Sequence, residues 1–346
     1  MTKRHQSAIA LFDISSSSVG GAHGLITKEQ EKVSLLASTR VFSEFKEELT
    51  IERFVEQSIE QLAKVITLLK KADVHHPSSI QVLLASPWFV SQTRTISYSK
   101  TTAFTCTEKL VHGLIDKEIT HIIENDMSRF GAMGKEGTII EKQIAAIKLN
   151  GYNTGKPFGK KIKSLEISLV VTVAPKSIID RFKNEIQKGY GGRQIHFTTS
   201  PYATFVVARD FLHAHEELMV LDIGEEVTDV AFIKDNSFLY QHSFPVGTYE
   251  FYRALVRAGL ANSTEAKAVL EIFRQGKLSA SATSSTQKAL EAFGEIWQSA
   301  FQKIIGEAQG LKPPSNSYII CDSRFETFFA DLIKRDPFLN HINGAL

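Results

Sequence analysis

The chain has 346 residues, 43% hydrophobic and 23% charged, with 40 basic against 38 acidic side chains and a formal net charge of +2. That length exceeds what a single core sustains and implies two lobes, while the composition excludes a fibrous or disordered chain and the balanced charge supplies no nucleic-acid footprint. Cys106 and Cys321 lie far apart and outside any CxxC spacing, so neither a zinc site nor a disulfide framework is indicated and a reducing cytoplasm is the simple reading. Lys3, Arg4 and His5 precede an apolar stretch that Asp13 interrupts, which is no signal peptide, and no run of about 18 apolar residues offers a spanning helix.

In chain order, an apolar run over 7–14 ends at Asp13 and Ile14, four serines occupy 15–18, and residues 19–26 resume with Gly20, Gly21 and Gly24: a strand, a tight turn and a second strand. A third strand follows at 33–42. Ile51, Val55, Ile59, Leu62, Ile66 and Leu69 step by three or four and predict a helix. Residues 80–85 return to strand character until Pro87 stops them. Thr107 is the expected N-cap, with Glu108 in the first turn, of a helix through Leu110, Leu114, Ile115, Ile119 and Ile122. After a glycine break at 131–137, strands are predicted at 138–149 and 162–173, joined by a turn-rich stretch from Asn150 to Gly159; helix plus hairpin suggests a small inserted module. Ile178, Ile179, Phe182 and Ile186 mark the next helix, and 203–212, after Pro201, another. Three short strands at 218–223, 230–233 and 238–244 then repeat the N-terminal organisation, an internal duplication that is the largest-scale feature of the chain. Helices at 249–258, 264–274 and roughly 287–309, the last two separated by a serine-rich link at 279–285, lead to a final strand at 317–321 and a final helix at 324–334.

Each copy of the duplication puts a carboxylate at the end of its first strand, Asp13 and Asp222. A lone acid before small polar residues is a common turn, and Asp222 and Thr228 taken singly read as a turn acid and a strand residue; the ordered repetition carries the signal. The stretches 12–20, FDISSSSVG, and 220–229, VLDIGEEVTD, resemble the two phosphate turns of the bacterial actin homologues of the FtsA and PilM family. Pro245, Val246 and Gly247 resemble that family's Pro-Val-Gly, Pro201 to Ala203 its hinge helix, and 147–159, IKLNGYNTGKPFG, its inserted subdomain, the most discriminating of these matches. The resemblance covers most of the chain. It implies an α/β, actin-like two-lobed ATPase fold of the duplicated ribonuclease H-like kind, with residues 1–100 plus 176–213 as first lobe, 101–175 as inserted subdomain and 214–346 as second lobe. It also implies ATP held by Asp13, Ser15, Ser16, Ser17, Asp222, Gly224, Thr228 and Gly247, with Asp13 and Asp222 holding Mg²⁺ through water.

The chain departs from the family pattern in its second half. Glu225 and Glu226 stand where the family has glycines. A carboxylate ~4 Å from a phosphate charge costs roughly 4 kcal/mol at an effective dielectric of about 20, or about a thousandfold in affinity, unless a metal or an outward rotamer relieves it. Cys321, Asp322 and Ser323 replace the family's adenosine-binding Gly-Gly, and Ala266, Lys267 and Ala268 replace its Ala-Glu-x-x-Lys stretch. A member with weak or lost nucleotide binding is therefore expected.

Other features have plain readings first. His75 and His76 before Pro77 read as solvated loop residues, Trp88 and Phe89 as core or interdomain anchors, and Phe325, Phe328, Phe329, Leu332 and Ile333 as a packed stripe in place of the membrane helix with which FtsA ends. Lys156, Lys160, Lys161 and Lys163 form the one basic cluster, a solvated hairpin that could also meet anionic lipid or an acidic partner. The leading functional expectation is a cytoplasmic scaffold without catalytic residues, at most a weak ATPase, held at the inner face of the cell membrane through a segment of an inner-membrane protein of a division or pilus machine, with self-association open. Its strand-accepting edge is expected in the module, steered by Lys160 and Lys161. The alternatives are a small-molecule kinase or phosphatase of the same superfold, which needs intact phosphate turns, and a chaperone-like ATPase, which needs a further domain.

Overall fold

The computed structural model describes residues 6–27, 32–43, 45, 50–73, 75–211, 217–234, 237–262, 264–308, 314 and 316–335. Strands β1 (Gln6–Ile14), β2 (Ser18–Thr27) and β3 (Lys32–Phe42) form an antiparallel meander. Helix α1 (Ile51–Ala72) crosses back so that β4 (Ser79–Leu84) pairs parallel with β1. Thr50 caps α1 by accepting from the Arg53 N–H, and the apolar face Val55, Leu62, Val65, Ile66 and Leu69 is buried. A Cβ on Gly21 would come within 2.5 Å of Val65 and 2.8 Å of Leu69, so the glycine lets α1 settle on β2.

The chain then leaves this sheet. Strand β5 (Val90–Thr105), helix α2 (Glu108–Asp126), a 3₁₀ segment at 127–135 and strands β6 (Gly137–Leu149), β7 (Tyr152–Asn153) and β8 (Lys161–Pro175) build a four-stranded antiparallel sheet in the order β5-β8-β6-β7. The expected two-stranded module is thus corrected. Its third long strand, β5, lies in a segment that sequence reading left unassigned, because VSQTRTISYSKTTAFT is Ser/Thr-rich and shows one weak apolar face. Helix α2 lies where the Thr107 cap predicted it, with that hydroxyl accepting from the Leu110 N–H at 3.2 Å. The odd residues Leu165, Ile167, Leu169, Val171 and Val173 of β8 join the core that includes the buried face of α2. Val170, of the opposite parity, joins a separate cluster with the second lobe, as a period of two dictates.

Helix α3 (Lys176–Tyr190) returns the chain to β9 (Gln194–Thr199), which completes the first sheet in the order β3-β2-β1-β4-β9. Helix α4 (Ser200–Phe211) leads to the second sheet, β10 (Glu217–Ile223), β11 (Thr228–Lys234), β12 (Ser237–Phe244) and β13 (Ser317–Cys321), ordered β12-β11-β10-β13 with β13 parallel to β10. Helices α5 (Tyr249–Arg257), α6 (Ala266–Arg274), α7 (Ala280–Glu307) and α8 (Glu326–Lys334) cover it, and Phe251, Phe293, Trp297, Phe325 and Phe329 form its aromatic core. The expected serine-rich link is the first turns of α7: Ser279 accepts from the Ala282 N–H and serines 281, 284 and 285 continue the helix despite their modest propensity. The stripe at 325–333 packs inward as core, and no helix among the described residues is long and apolar enough to cross a membrane.

The second sheet repeats the first, and the repeat extends to side-chain rows. Two hairpin registers align Asp13, Gly20 and Arg40 across β1-β2-β3, and the equivalent registers align Asp222, Asp229 and Ser243 across β10-β11-β12.

Candidate functional site

A cleft of about 1070 Å³ lies between the two sheets, and Asp13, Ser15, Ser16, Asp222 and Gly224 all line it. Ser17, Thr228 and Gly247, also expected to bind nucleotide, are buried behind that surface. The Ser17 carbonyl accepts from the Ser43 N–H at 2.6 Å. The Thr228 hydroxyl donates to the Val246 carbonyl at 2.8 Å and accepts from the Trp297 indole N–H at 3.0 Å, so it ties the second turn to α7. A Cβ on Gly247 would lie 2.4–2.5 Å from Glu225 C and O and the Gly224 carbonyl oxygen, so this glycine lets the Pro-Val-Gly segment back onto the turn. The Thr248 and Tyr249 N–H groups, which follow it, bond the carbonyls of Gly224 and Glu225 at 3.0 and 2.8 Å.

The two acids meet opposite fates. Asp13 is bonded by Arg40, whose second guanidinium nitrogen donates to Ser18 Oγ at 2.8 Å. Gly20, between them in the row, has no side chain in the way: a Cβ there would stand 2.7 Å from Arg40 Nη2. In the second lobe the position equivalent to Arg40 is Ser243 and the position equivalent to Gly20 is Asp229. Burial, with Asp229, Asp13 and Glu225 nearby, pushes the Asp222 carboxyl up to about 8, so it holds a proton at neutral pH. Asp229 accepts from the hydroxyls of Ser86 and Ser243, each at 2.6 Å, and from the Ser86 N–H at 3.4 Å. Since Ser86 follows β4, this buried carboxylate joins the lobes at the floor of the cleft.

The two turns also touch directly, the Glu226 N–H donating to Ser16 Oγ at 3.3 Å. The Glu226 carboxylate turns to Arg253, which lies 2.7 Å from both its oxygens. Its charge is thus met, and the expected repulsion of a phosphate rests on Glu225 alone, which does line the cleft. At the far end, Arg324 folds onto Asp322, with Nε 3.0 Å from both carboxylate oxygens. Lys267 donates to the Tyr249 hydroxyl at 3.0 Å, with its ammonium held below the usual lysine range by burial and by Arg324. Arg40 and Ser86 line the cleft but escaped sequence reading as site residues; the hairpin register that places Arg40 on the Asp13 row was the signal available for the first.

A Mg²⁺ shared by Asp13 and Asp222 does not fit this arrangement. The first carboxylate is occupied by the Arg40 guanidinium, and among the described residues no three His, Cys, Asp or Glu side chains converge on a metal position. A phosphate chain would have to part the Ser16–Glu226 contact to enter between the turns.

A second cavity, about 270 Å³, opens where α1, the turn after β4, the 3₁₀ segment, α3 and the second lobe meet; Phe54, Trp88, Phe130, Ile178, Val227 and Phe244 line it. Trp88 is 1% exposed, stacked on Phe54 at 4.8 Å and edge-on to Phe182 at 5.2 Å, and its indole N–H has no hydrogen-bond partner.

No family model matches the chain, and no curated protein matches it. Among solved structures it is similar to a PilM–PilN type IV pilus biogenesis complex, with a TM-score of 0.60 at 13% identity over 97% of this chain and 90% of that one. An ethanolamine utilization protein EutJ from Carboxydothermus hydrogenoformans aligns with a TM-score of 0.47 at 11% identity, over 96% and 82% of the two chains. The PPX-GPPA enzyme of Aquifex aeolicus aligns with a TM-score of 0.41 at 13% identity, over 96% and 74%. The chain has the actin-like fold.

Proposed function

We propose that this chain is an assembly scaffold of the PilM and FtsA kind, acting in type IV pilus assembly or cell division at the inner face of the cell membrane, with weak or lost ATP binding. The observation that carries the reading is the cavity at Trp88. It is apolar, and it lies where the inserted module, the first lobe and the second lobe adjoin. An apolar side chain of an extended segment would fill it. A segment of an inner-membrane protein is the occupant of that chemistry that brings a chain of this kind to the membrane. The cleft supports the same reading, because its turns are bonded to each other and its first acid to an arginine, whereas a kinase or phosphatase needs both turns open to phosphate.

Ile51 forms the exposed rim of the cavity, so Ile51→Arg should preserve folding and block the opening. Purified protein is incubated with solubilised inner membranes, with and without Mg-ATP. Wild type is expected to retain one membrane protein under both conditions, and Ile51→Arg to lose it while keeping its melting temperature. Retention by Ile51→Arg, or retention that needs ATP, would refute the proposal. Lys160→Glu with Lys161→Glu should lower capture only at low salt if the exposed basic hairpin steers an acidic flank of the segment.

A further inference from the structure

We infer that Arg40 is the resident cation of the first acidic turn and excludes a divalent metal from Asp13. The arrangement is built by the fold. Asp13, Gly20 and Arg40 fall on one row across three strands, so the arginine reaches the carboxylate by lying over the one residue type that leaves it room. A second anchor, the bond from Arg40 Nη1 to Ser18 Oγ at 2.8 Å, holds the guanidinium against the turn, and Ser18 Oγ in turn lies 3.0 Å from Ser15 Oγ. Planar, permanently charged and weakly hydrated, a guanidinium held at two points is displaced less readily than a lysine ammonium or a bound water.

The duplication supplies an internal comparison. The second lobe carries the same row with Ser243 in place of the arginine, and its acid, Asp222, stands beside Asp229 with no guanidinium among the described residues of that row. One acid of the pair has therefore been given a covalently attached counter-ion and the other has not. Mg²⁺ and Mn²⁺ demand an anionic oxygen free to face them, directly or through water, and repel a fixed positive charge at that distance.

Metal binding at Asp13 can be measured whether or not the chain is a scaffold. Mn²⁺ is titrated into the protein without nucleotide or partner, and free Mn²⁺ is read by electron paramagnetic resonance. In the wild-type background, Asp13→Asn is expected to leave Mn²⁺ binding unchanged. Arg40→Gln is expected to tighten it by about thirtyfold or more, the order that removing a positive charge ~4 Å from a divalent ion produces even at the dielectric of water. Arg40→Lys, which keeps the charge but not the two-point hold, should fall between wild type and Arg40→Gln. If Asp13→Asn weakens wild-type Mn²⁺ binding, Asp13 is already a ligand and the inference is overturned; a folded Arg40→Gln with unchanged affinity overturns it equally. Should Arg40→Gln fail to fold, Asp13→Asn alone still decides between the two outcomes.

Discussion

Asp222→Asn should make the protein more stable, by an amount that grows with pH. The carboxyl titrates at about 8 in the folded chain against an ordinary 3.8, because burial and the charges of Asp229, Asp13 and Glu225 all oppose its ionisation. A raised carboxyl binds a proton in the folded state that the unfolded chain has released. Its contribution to stability is therefore fully present below the unfolded value and is lost as pH rises toward the folded one. At about 1.4 kcal/mol per pH unit, the cost accumulated by pH 7 is about 4 kcal/mol, and partial solvent access in the cleft trims this to about 2 kcal/mol. Asparagine has the same shape and no charge to lose. Urea unfolding in EDTA, repeated from pH 4 to pH 9, should give curves that coincide near pH 4, separate by about 2 kcal/mol in favour of Asp222→Asn at pH 7, and run parallel above about pH 8. A gap that stays flat with pH, or that closes as pH rises, would refute the assignment of a buried proton to this acid.

Two further substitutions separate structural from ligand-facing roles. Gly247→Ala should cost about 1–3 kcal/mol in thermal unfolding, because its methyl meets the backbone of Gly224 and Glu225 at 2.4–2.5 Å and the second turn must move; an unchanged melting temperature would show that the turn yields freely. Glu141, on β6, accepts from the Thr199 N–H at 2.7 Å, from Thr198 Oγ1 at 2.8 Å and from Thr199 Oγ1 at 2.8 and 3.0 Å, at the start of α4. Glu141→Gln keeps one acceptor oxygen of two, so it should cost about 1–3 kcal/mol and speed amide exchange in the first turn of α4; unaltered exchange there would mean that the module does not fix that helix.

How far the sequence reached can be argued from individual residues. The duplication was legible because each copy is an apolar run closed by an acid and a turn of small residues, a pattern that survives whatever ligand is kept or lost. Helix α1 was legible from its apolar period alone, and α2 because a period follows the Thr107 cap. Strand β5 was not, since Ser and Thr along its length blur the alternation that identifies a strand, and its partner β8 lies more than fifty residues on. Serines misled again at 279–285, where one side-chain cap outweighs several weak propensities. The cleft's chemistry stayed hidden for a different reason. Thr228 and Gly247 were assigned to a ligand from motif position alone, whereas the direction in which a residue points depends on strand parity and on what lies behind it. Parity and register can be derived from a sequence once a hairpin is recognised. The four-serine segment closes β1 onto β2 with Asp13 opposite Gly20, and the next hairpin sets Gly20 opposite Arg40. An acid and an arginine separated by a glycine on a single row are partners by geometry, though they stand 27 positions apart in the chain. The second row, Asp222, Asp229 and Ser243, puts two acids side by side with a serine, which forces a proton or a set of hydroxyl bonds onto the pair. The two lobes thus meet the charge of the equivalent acid in two ways, with an arginine across the first row and with a proton and hydroxyl donors on the second.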